Sequence, residues 1–303
     1  MNDYHQPVLL EEVLSLLALG VGSGWIVDCT LGGGGHSAAL LERTPPGVRL
    51  LGLDRDPDAI GEATERLQGF GDRVVIRQSA FSQVASVIDE MDACPVMGML
   101  FDLGVSSAQL DRASRGFSFR HEGPLDMDME GRGGYAALRL MEGMEWREFA
   151  AVLGSYGEVP RAGHVARVIL EAVDKGEIAT TKDLAGLVEK RFPWLRKGSR
   201  HPATRIFQAL RMAVNDEIGE LEAALEQIPR SLANGGVAAV ISYHSGEDRL
   251  VKHGFRKFVK EGGFELPFRK PMRASEGEVE SNSRSRTARL RAIRRSDSEV
   301  SYE

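Results

Sequence analysis

The chain has 303 residues, of which 42% are hydrophobic and 27% are charged. This composition excludes a protein that is disordered throughout, and the length is sufficient for one large domain or two modest ones. The net charge of -6 excludes a protein that is basic over its whole surface, although a nucleic-acid-binding protein needs only one positive face.

The cysteines and the N-terminal segment indicate in which cellular compartment the chain is expected. Cys29 and Cys94 are the only cysteines, too few for a disulfide framework and without the spacing of a zinc site. The first apolar run is interrupted by Glu11 and Glu12 and follows no basic leader, which is not typical of a signal peptide or a membrane span. We therefore expect a cytoplasmic protein without a metal site and without membrane association.

The first hundred or so positions alternate between short apolar runs and helical patterns. This alternation predicts parallel β-α-β units with helices on both faces of one sheet. The predicted strands are residues 26–31, 48–53, 74–77 and 96–102, and the predicted helices are residues 37–42 and 58–67.

The alternation stops after Gly104, and the stretch that follows is helical and rich in loops. Residues 145–156 place their apolar side chains on one helix face, and Thr180 or Thr181 can cap a further helix. We therefore predict an inserted helical subdomain, residues 114–205.

The sheet pattern resumes after this insertion. Residues 207–228 carry apolar side chains at spacings of three and four, which predicts one long amphipathic helix that covers a sheet face. Residues 232–245 then predict a turn and a central strand. The insertion therefore lies between the fourth and fifth strands of an α/β domain formed by residues 1–113 and 206–295, and residues 296–303 form a tail.

A run of four glycines, residues 32–35, separates the first predicted strand from the first predicted helix. Such a run lets the backbone approach a ligand closely and turns the amides at the helix start towards it. The dinucleotide fingerprint would require a third glycine where Ser37 stands, which argues against a pyrophosphate ligand. Asp54, at the tip of the next strand, can accept hydrogen bonds from ribose hydroxyls. The pattern predicts a nucleoside ligand with a free ribose.

The same pattern is shared by NAD-dependent enzymes and by methyltransferases that use S-adenosylmethionine (SAM), and its individual residues have structural alternatives. Asp54 could instead cap a helix, and His36 could cap the helix after the glycines or pack on it. Phe81 could form an apolar wall for adenine or belong to the core.

Five motifs in a fixed order carry more specific information than the glycine run. They are HQPVLLEEVL (residues 5–14), MLFDLGVSSAQLDRASRGFSF (99–119), GPLDMDM (123–129), HPATRIFQALRMAVNDEI (201–218) and SYHSGEDRLVK (242–252). Together they resemble the MraW family of bacterial methyltransferases over residues 5–291. That family methylates the N4 amine of a cytidine in the decoding region of 16S ribosomal RNA.

The resemblance implies a Rossmann-like class I SAM methyltransferase sheet with an all-helical insertion after the fourth strand. It implies SAM as cofactor and 16S ribosomal RNA in the small ribosomal subunit as partner, rather than DNA or a membrane; whether the chain is a monomer or a homodimer stays open. The cofactor contacts of the family fall here on Gly34, Gly35, His36, Asp54, Phe81, Asp102 and Gln109.

The chain departs from the family's pattern at a few positions. Ala108 and Ser283 stand where the family usually has proline, and Val159 stands where it has glutamate. Tyr243 and Gly246 replace the usual phenylalanine and leucine of the fifth motif. None of these departures removes a polar group that is assigned to the cofactor.

The reaction that the resemblance implies requires an activated nitrogen, because the methyl group of a sulfonium is itself already activated. The lone pair of the exocyclic amine is delocalised into the cytosine ring, so an acceptor for one N–H would restore electron density as the nitrogen attacks. Asp102 is the first candidate, since it ends the fourth strand where open α/β sheets bind their ligands. The carbonyls of Leu103 and Gly104 and the hydroxyls of Ser106 and Ser107 are alternatives.

Two stretches concentrate positive charge and suit phosphate contacts, although each could also be a solvated surface. They are Lys190, Arg191, Arg196, Lys197, Arg200 and Arg205 in the insertion and Arg284, Arg286, Arg289, Arg291, Arg294 and Arg295 near the C-terminus. A flipped cytidine could stack on Phe117, Phe119 or Tyr243, although core packing is the commoner role of such residues. His244, after the fifth strand, is expected to be a structural histidine satisfied by backbone groups.

Other hypotheses are disfavoured or stay open. An NAD-dependent oxidoreductase is disfavoured by the missing third glycine and by the absence of a clear hydride-transfer site. A ribosome-assembly factor would use SAM only as a structural ligand. A cytosine-N4 DNA methyltransferase is disfavoured because residues 102–105, Asp-Leu-Gly-Val, lack the Asp or Ser, Pro, Pro, aromatic motif typical of that class.

Overall fold

The computed structural model describes residues 7–196, 198 and 201–297, with the side chain of Ser107 outside the described part. The chain divides into two compact units, the first comprising Met1–Gly104 and Gly219–Glu303 and the second Val105–Ile218. The second unit is longer at both ends than the predicted insertion of residues 114–205. At its C-terminal end the difference is a helix that packs within this unit.

The first unit contains one sheet of seven strands. The strands are β1 (Gly24–Asp28), β2 (Val48–Asp54), β3 (Val74–Gln78), β4 (Val96–Asp102), β5 (Leu232–Ser242), β6 (Phe264–Glu265) and β7 (Arg289–Arg295). Their order is β3-β2-β1-β4-β5-β7-β6, with β1 to β5 parallel and β7 antiparallel to both of its neighbours. This order is typical of class I SAM methyltransferases and confirms the predicted fold class.

Helices cover the sheet, and helices joined by loops form the second unit in the part of the chain that the structure describes. They are α1 (Leu10–Leu17), α2 (Gly35–Arg43), α3 (Pro57–Leu67), α4 (Val84–Glu90), α5 (Ser107–Asp111), α6 (Ala136–Glu142), α7 (Trp146–Ser155), α8 (Ala162–Asp174), α9 (Thr181–Arg191), α10 (Thr204–Val214), α11 (Glu217–Ser231), α12 (Ser245–Glu261) and α13 (Glu276–Ser281). None of the helices in the described part of the chain is both long and apolar enough to cross a membrane.

Side chains of the sheet alternate between two apolar layers, as the pleat of a β-strand requires. Val27, Met99 and Phe101 lie in one layer with residues of α4, α11 and α12. Ile26 and Leu100 lie in the other layer with residues of α1 and α2. The four strands predicted in the first hundred positions are confirmed. Three of them, β1, β2 and β4, are interior parallel strands, which are apolar on both faces and stand out in the sequence, whereas β3 is the edge strand.

The prediction of one long helix over residues 207–228 was wrong. The chain forms α10 and α11 instead, and Asp216 between them has a left-handed φ of 46°. The side chain of Asn215 is buried there, donating to Met127 O at 2.8 Å and accepting from Met129 N at 2.9 Å. The apolar spacing continues through the break, so periodicity alone could not detect it.

The predicted turn before the fifth strand also differs from the structure. β5 already begins at Leu232, and its pairing with β4 shifts register between Leu232 and Val237. The glycines that suggested a turn lie in this irregular part of the strand. β5 is an interior strand, as predicted, because it lies between β4 and β7.

The second unit has its own core, and its residues in the described part form helices and no strand of the sheet. Phe149 and Leu153 of α7 are fully buried in this core, as the spacing of residues 145–156 predicted. Thr180 rather than Thr181 caps α9: its hydroxyl accepts from Asp183 N at 3.2 Å, and the Asp183 carboxylate accepts from Thr180 N at 2.8 Å. The prediction of a helical insertion between the fourth and fifth strands is confirmed.

Candidate active site

Three aspartates end neighbouring strands of the first unit. Asp28, Asp54 and Asp102 are the last residues of β1, β2 and β4. Because these strands are parallel and adjacent, their carboxyl ends meet at one edge of the sheet, which we call the carboxyl edge. Open α/β sheets bind their ligands at this edge.

The glycine run forms a tight turn at the carboxyl edge. Gly32 and Gly34 have φ values of 50° and 74°, which L-residues with side chains rarely adopt. A Cβ on Gly34 would lie 3.3 Å from Leu67 Cδ1 and 3.4 Å from Ala63 on α3. Gly34 therefore serves both the turn and the packing of two helices, and Gly35 begins α2 directly after it.

Asp54 holds the glycine turn in place. Its Oδ2 accepts from Gly32 N at 2.8 Å, and its Oδ1 accepts from Asp56 N at 2.8 Å. The alternative role as a helix cap was wrong, because the cap of α3 is Asp56, which accepts from Asp58 N. Burial raises the pKa of Asp54 to about 6. Each carboxylate oxygen has a second lone pair, so the group can accept further hydrogen bonds from a ligand.

Asp28 was missed by sequence reasoning. Its side chain is buried, with Oδ2 accepting from Ser37 Oγ at 2.6 Å and Oδ1 accepting from Thr30 N at 3.2 Å. Thr30 Oγ1 in turn accepts from Asp102 N at 2.6 Å. Burial raises the pKa of Asp28, and the bond from Ser37 lowers it in part. An acidic residue that ends an apolar run four positions before a glycine run is the signal that could have found it.

Asp102 accepts a hydrogen bond and faces a histidine. Its Oδ1 accepts from the Tyr243 hydroxyl at 2.7 Å, and its Oδ2 lies 3.7 Å from His36 Nδ1. Burial raises the pKa of Asp102, while His36 and the Tyr243 hydroxyl lower it in part. The side chain keeps 24% of its surface exposed, so a substrate group can still reach it.

His36 is held from two sides. Its Nε2 lies 3.0 Å from the carbonyl of Val8, and because a carbonyl only accepts, Nε2 is the donor. Nδ1 then faces Asp102, and the two groups form an ion pair when the imidazole is protonated. His36 does not cap α2, whose N-cap is Gly34. It packs at the start of that helix, with 7% of its surface exposed.

The residues after β5 form a second network at the carboxyl edge. The Tyr243 phenol has its pKa raised well above its ordinary value, first by burial and then by Asp102, so it stays protonated and donates. His244 caps α12: its Nδ1 accepts from Gly246 N at 3.2 Å and from Glu247 N at 3.3 Å. His244 Nε2 lies 2.9 Å from Glu247 Oε1. The prediction that His244 is a structural histidine is confirmed.

The remaining predicted cofactor residues lie in different units. Phe81 follows β3 in the first unit and forms a T-shaped, edge-to-face contact with Phe101, with ring centroids 6.1 Å apart. Its ring is only partly buried, which suits both a core role and a role as an adenine wall. Gln109 belongs to the second unit, where its side-chain Oε1 accepts from Ser106 N at 3.0 Å and its backbone N–H donates to Ser106 Oγ at 3.2 Å. The cofactor roles of both residues stay predictions.

Comparison with known proteins identifies the family. Residues 2–296 match the MraW methylase family. The chain belongs to this family. Among similar proteins, one of Sorangium cellulosum is 47% identical over 97% of this chain and 91% of its own length. Others from Nitratidesulfovibrio vulgaris and Symbiobacterium thermophilum are 44% and 43% identical, over 95% and 97% of this chain and 94% and 97% of their own lengths. All three are named ribosomal RNA small subunit methyltransferase H.

MraW methylases depend on SAM, and the carboxyl edge of this family member suits that cofactor. SAM carries a positive sulfonium and a positive ammonium group as well as ribose hydroxyls. The carboxyl edge offers the carboxylates Asp28, Asp54 and Asp102, and burial raises the pKa of each. A cation bound nearby would offset the free-energy cost of their buried charge. Asp54 can accept from the ribose, and the amides of the glycine turn can approach the ligand closely.

Most arginines of the predicted C-terminal patch bind partners inside this MraW methylase. Arg289 and Arg291 pair with Asp248 at 3.3 and 2.7 Å, and Arg295 donates to two backbone carbonyls. Arg294 lies 3.7 Å from Glu265. Arg289, Arg291 and Arg295 thus stabilise β7 on its neighbours, whereas the Arg294 pair is exposed to solvent and contributes little.

The predicted patch of the insertion is only partly described. Arg196 pairs with Glu189 at 3.0 Å and Arg205 donates to the carbonyl of Glu158, whereas Lys197 and Arg200 lie outside the described residues. Of the predicted stacking residues, Phe117 is buried in the core of the second unit, whereas Phe119 is partly buried and packs against that core. The core alternative is therefore confirmed for Phe117, and the stacking role of Phe119 stays a prediction.

Proposed function

We propose that the chain transfers the methyl group of SAM to the N4 amine of a cytidine in the decoding region of 16S ribosomal RNA, acting on the small ribosomal subunit. The RNA substrate is taken from relatives that are 43–47% identical and are named ribosomal RNA small subunit methyltransferase H. One observation supports the proposal that the methyl acceptor in that RNA is a nitrogen: the position and hydrogen bonding of Asp102.

Asp102 has the properties that activation of an aromatic amine requires. A carboxylate can accept one N–H of the amine and so return electron density to the nitrogen. Burial raises the pKa of Asp102, which makes it a stronger acceptor than an ordinary aspartate. Tyr243 binds only Oδ1, so the position of the carboxylate is fixed while Oδ2 can face the substrate.

The other residues of the carboxyl edge position and orient the reactants. SAM supplies an already activated methyl group when bound. Asp54 and the glycine turn would hold its ribose and adenosine. His36 lies beside Oδ2 of Asp102, on the side of α2, and pairs with it when the imidazole is protonated. The proton that the amine loses after transfer passes to Asp102 or to water. No stronger base is required, because the methylated amine in its cationic form is very acidic.

The alternative acceptors are less suitable than Asp102. The hydroxyl of Ser106 accepts from Gln109 N and caps α5, and Ser107 has its side chain outside the described part. Gly104 has a φ of 113° and lies against the Tyr243 ring, where a Cβ would be 3.5 Å from the ring edge. This close approach fixes the path of the backbone after β4, but a backbone carbonyl there is an uncharged acceptor, unlike the Asp102 carboxylate.

Transfer of label from SAM to small ribosomal subunits tests the proposal. Subunits from a strain that lacks the enzyme are incubated with the protein and methyl-labelled SAM, and the nucleosides of their RNA are separated by mass spectrometry. We expect label in N4-methylcytidine. Label in 5-methylcytidine would contradict the nitrogen target, and the absence of label with retained subunit binding would favour an assembly factor that only binds SAM.

A further inference from the structure

α12 has two chemically different faces. Val251, Phe255 and Phe258 are buried against the sheet. The opposite side of the helix carries basic side chains at spacings of three and four, which places them in one stripe. We call this stripe the basic face: Arg249, Lys252, His253, Arg256, Lys257 and Lys260. All six are exposed except Lys252, which is partly exposed.

The charge of the basic face is not compensated within the described part of the protein. None of its six residues forms an ion pair or a hydrogen bond there. The acidic residues at the start of α12 are engaged elsewhere: Glu247 is buried and accepts from Tyr243 N, and Asp248 pairs with Arg289 and Arg291. A chain with a net charge of -6 thus keeps one helix face with five lysine and arginine side chains and no acidic residue.

The segment after β6 extends this positive surface. Arg269, Lys270 and Arg273 are exposed and have no polar partner among the described residues. A crevice between this segment and α12 has an apolar floor and a basic rim. Its lining includes Lys252, Phe255, Arg256, Leu266, Phe268 and Arg269.

The basic face starts beside the candidate active site. α12 begins at Ser245, two residues after Tyr243, whose hydroxyl binds Asp102. Its 17 residues span about 25 Å at the rise of an α-helix. Positive side chains therefore recur at each turn of a helix that leads away from the carboxyl edge. Several consecutive phosphates of a nucleic acid strand would cover the length of this helix.

We propose that the basic face, with Arg269, Lys270 and Arg273, binds the phosphate backbone of the ribosomal RNA next to the target nucleotide. This inference rests on the proposed function. Exposed Lys and Arg side chains without partners are the groups that neutralise phosphates. A membrane surface is the less suitable occupant, because the apolar side of α12 is already buried in the core and no apolar face remains for insertion.

The test reverses two charges of the basic face. The variant Arg256→Glu/Lys260→Glu is compared with Arg43→Glu/Arg230→Glu, which changes the net charge equally on exposed residues of α2 and α11. Binding to small ribosomal subunits is measured over a range of salt concentrations. We expect the basic-face variant to bind at least about tenfold more weakly, with the slope of log affinity against log salt reduced by about 1.5, as two lost phosphate contacts predict. The matched variant should bind like wild type.

Further measurements separate the possible outcomes. SAM affinity and the melting temperature should be unchanged in the basic-face variant; if it melts early, Arg256→Gln/Lys260→Gln replaces it with a smaller expected loss. Equal subunit binding by both variants and wild type would overturn the inference, as would binding to phosphatidylserine vesicles that is lost in the variant while RNA binding stays. The proposed function fails separately, when wild-type protein transfers no methyl group to the subunits.

Discussion

The carboxyl edge and the basic face both concentrate charge, but they differ in burial. At the carboxyl edge, Asp28, Asp54 and Asp102 are largely removed from water, and each has a raised pKa and specific hydrogen-bond donors. On the basic face the charges are exposed and have no partner in the described part of the protein. Burial gives a charge the strength and orientation that chemistry needs, whereas exposure leaves it available to a partner.

The same difference separates the two groups of basic residues near the C-terminus. The arginines of β7 form the denser run in the sequence, yet Arg289, Arg291 and Arg295 bind groups of the protein itself. The basic residues of α12 are spread over many positions but share one exposed face. The spacing of charges relative to secondary structure therefore indicates a binding surface better than their density along the chain.

Substitution of Asp102 provides the sharpest test of this comparison. Asp102→Asn removes the carboxylate charge while keeping its shape, and we expect the single-turnover methylation rate at saturating SAM to fall at least about tenfold. Binding to small subunits should stay unchanged, because the residue is not on the basic face. Asp89→Asn, an exposed residue of α4 with the same change of charge, is the control. A normal rate in Asp102→Asn would remove this residue from catalysis.

Substitution of Asp54 should affect the cofactor alone. Asp54→Asn weakens the acceptor for ribose hydroxyls and for Gly32 N, and we expect SAM to bind about tenfold more weakly, as measured by calorimetry. Subunit binding measured without SAM should not change. An unaltered SAM affinity would show that Asp54 only supports the glycine turn.

The pH dependence of SAM binding tests the same carboxylate without mutation. The pKa of Asp54 is raised to about 6, so its proton-accepting form is lost as the pH falls through this value. We expect SAM affinity to decline below about pH 6 in the wild type and to lose that step in Asp54→Asn. Before a ligand binds, the raised pKa means that the native state holds this proton more tightly than the unfolded chain, so the contribution of Asp54 to stability decreases as the pH rises from about 4 to 6. A wild-type affinity that does not change between pH 5 and 7 would contradict the assignment.

Removal of the Tyr243 hydroxyl should produce a smaller change in rate and a characteristic shift. In the wild type, the hydrogen bond from the Tyr243 hydroxyl lowers the pKa of Asp102. Tyr243→Phe leaves the ring in place but removes this donor, so the pKa of Asp102 should rise. We expect the acid limb of the rate profile to move to higher pH, with about a threefold loss of rate at neutral pH. Tyr135→Phe, at an exposed tyrosine of the second unit, is the control. A profile that keeps its acid limb would assign Tyr243 to packing only.

The sequence predicted the parts of this protein in which local pattern and structure coincide. The strands that end at Asp54 and Asp102 are long apolar runs, and a polar residue at the end of such a run indicates the carboxyl edge directly. The contact of His36 with Val8 could not be predicted in this way, because it joins residues far apart in the sequence. Asp28 was missed because it lies inside the predicted strand of residues 26–31. It bonds to Ser37, which the sequence indicated only as the position of a missing glycine.

The basic face was missed for a different physical reason. Its charges are separated by Val251, Phe255 and Phe258, which belong to the core, so no run of positive residues is visible in the sequence. Only the helical period of α12 brings them together. The C-terminal run of arginines was predicted as one binding surface although it does not form one. Consecutive residues of a strand point to opposite faces and meet different partners.

Charge reversal in the insertion should weaken subunit binding less than charge reversal on α12 does. Arg196 is already paired with Glu189, so the free charge at this position is smaller than on α12. We expect Arg196→Glu with Lys197→Glu and Arg200→Glu to weaken binding to small subunits by about threefold and to flatten its salt dependence, without a change in SAM affinity. A loss larger than that of Arg256→Glu/Lys260→Glu would make the insertion the main phosphate-binding surface. Binding equal to that of wild type would show that the insertion makes no phosphate contact and would leave α12 as the phosphate-binding surface. The two variants can be compared directly, because both are measured in the same assay over the same salt range.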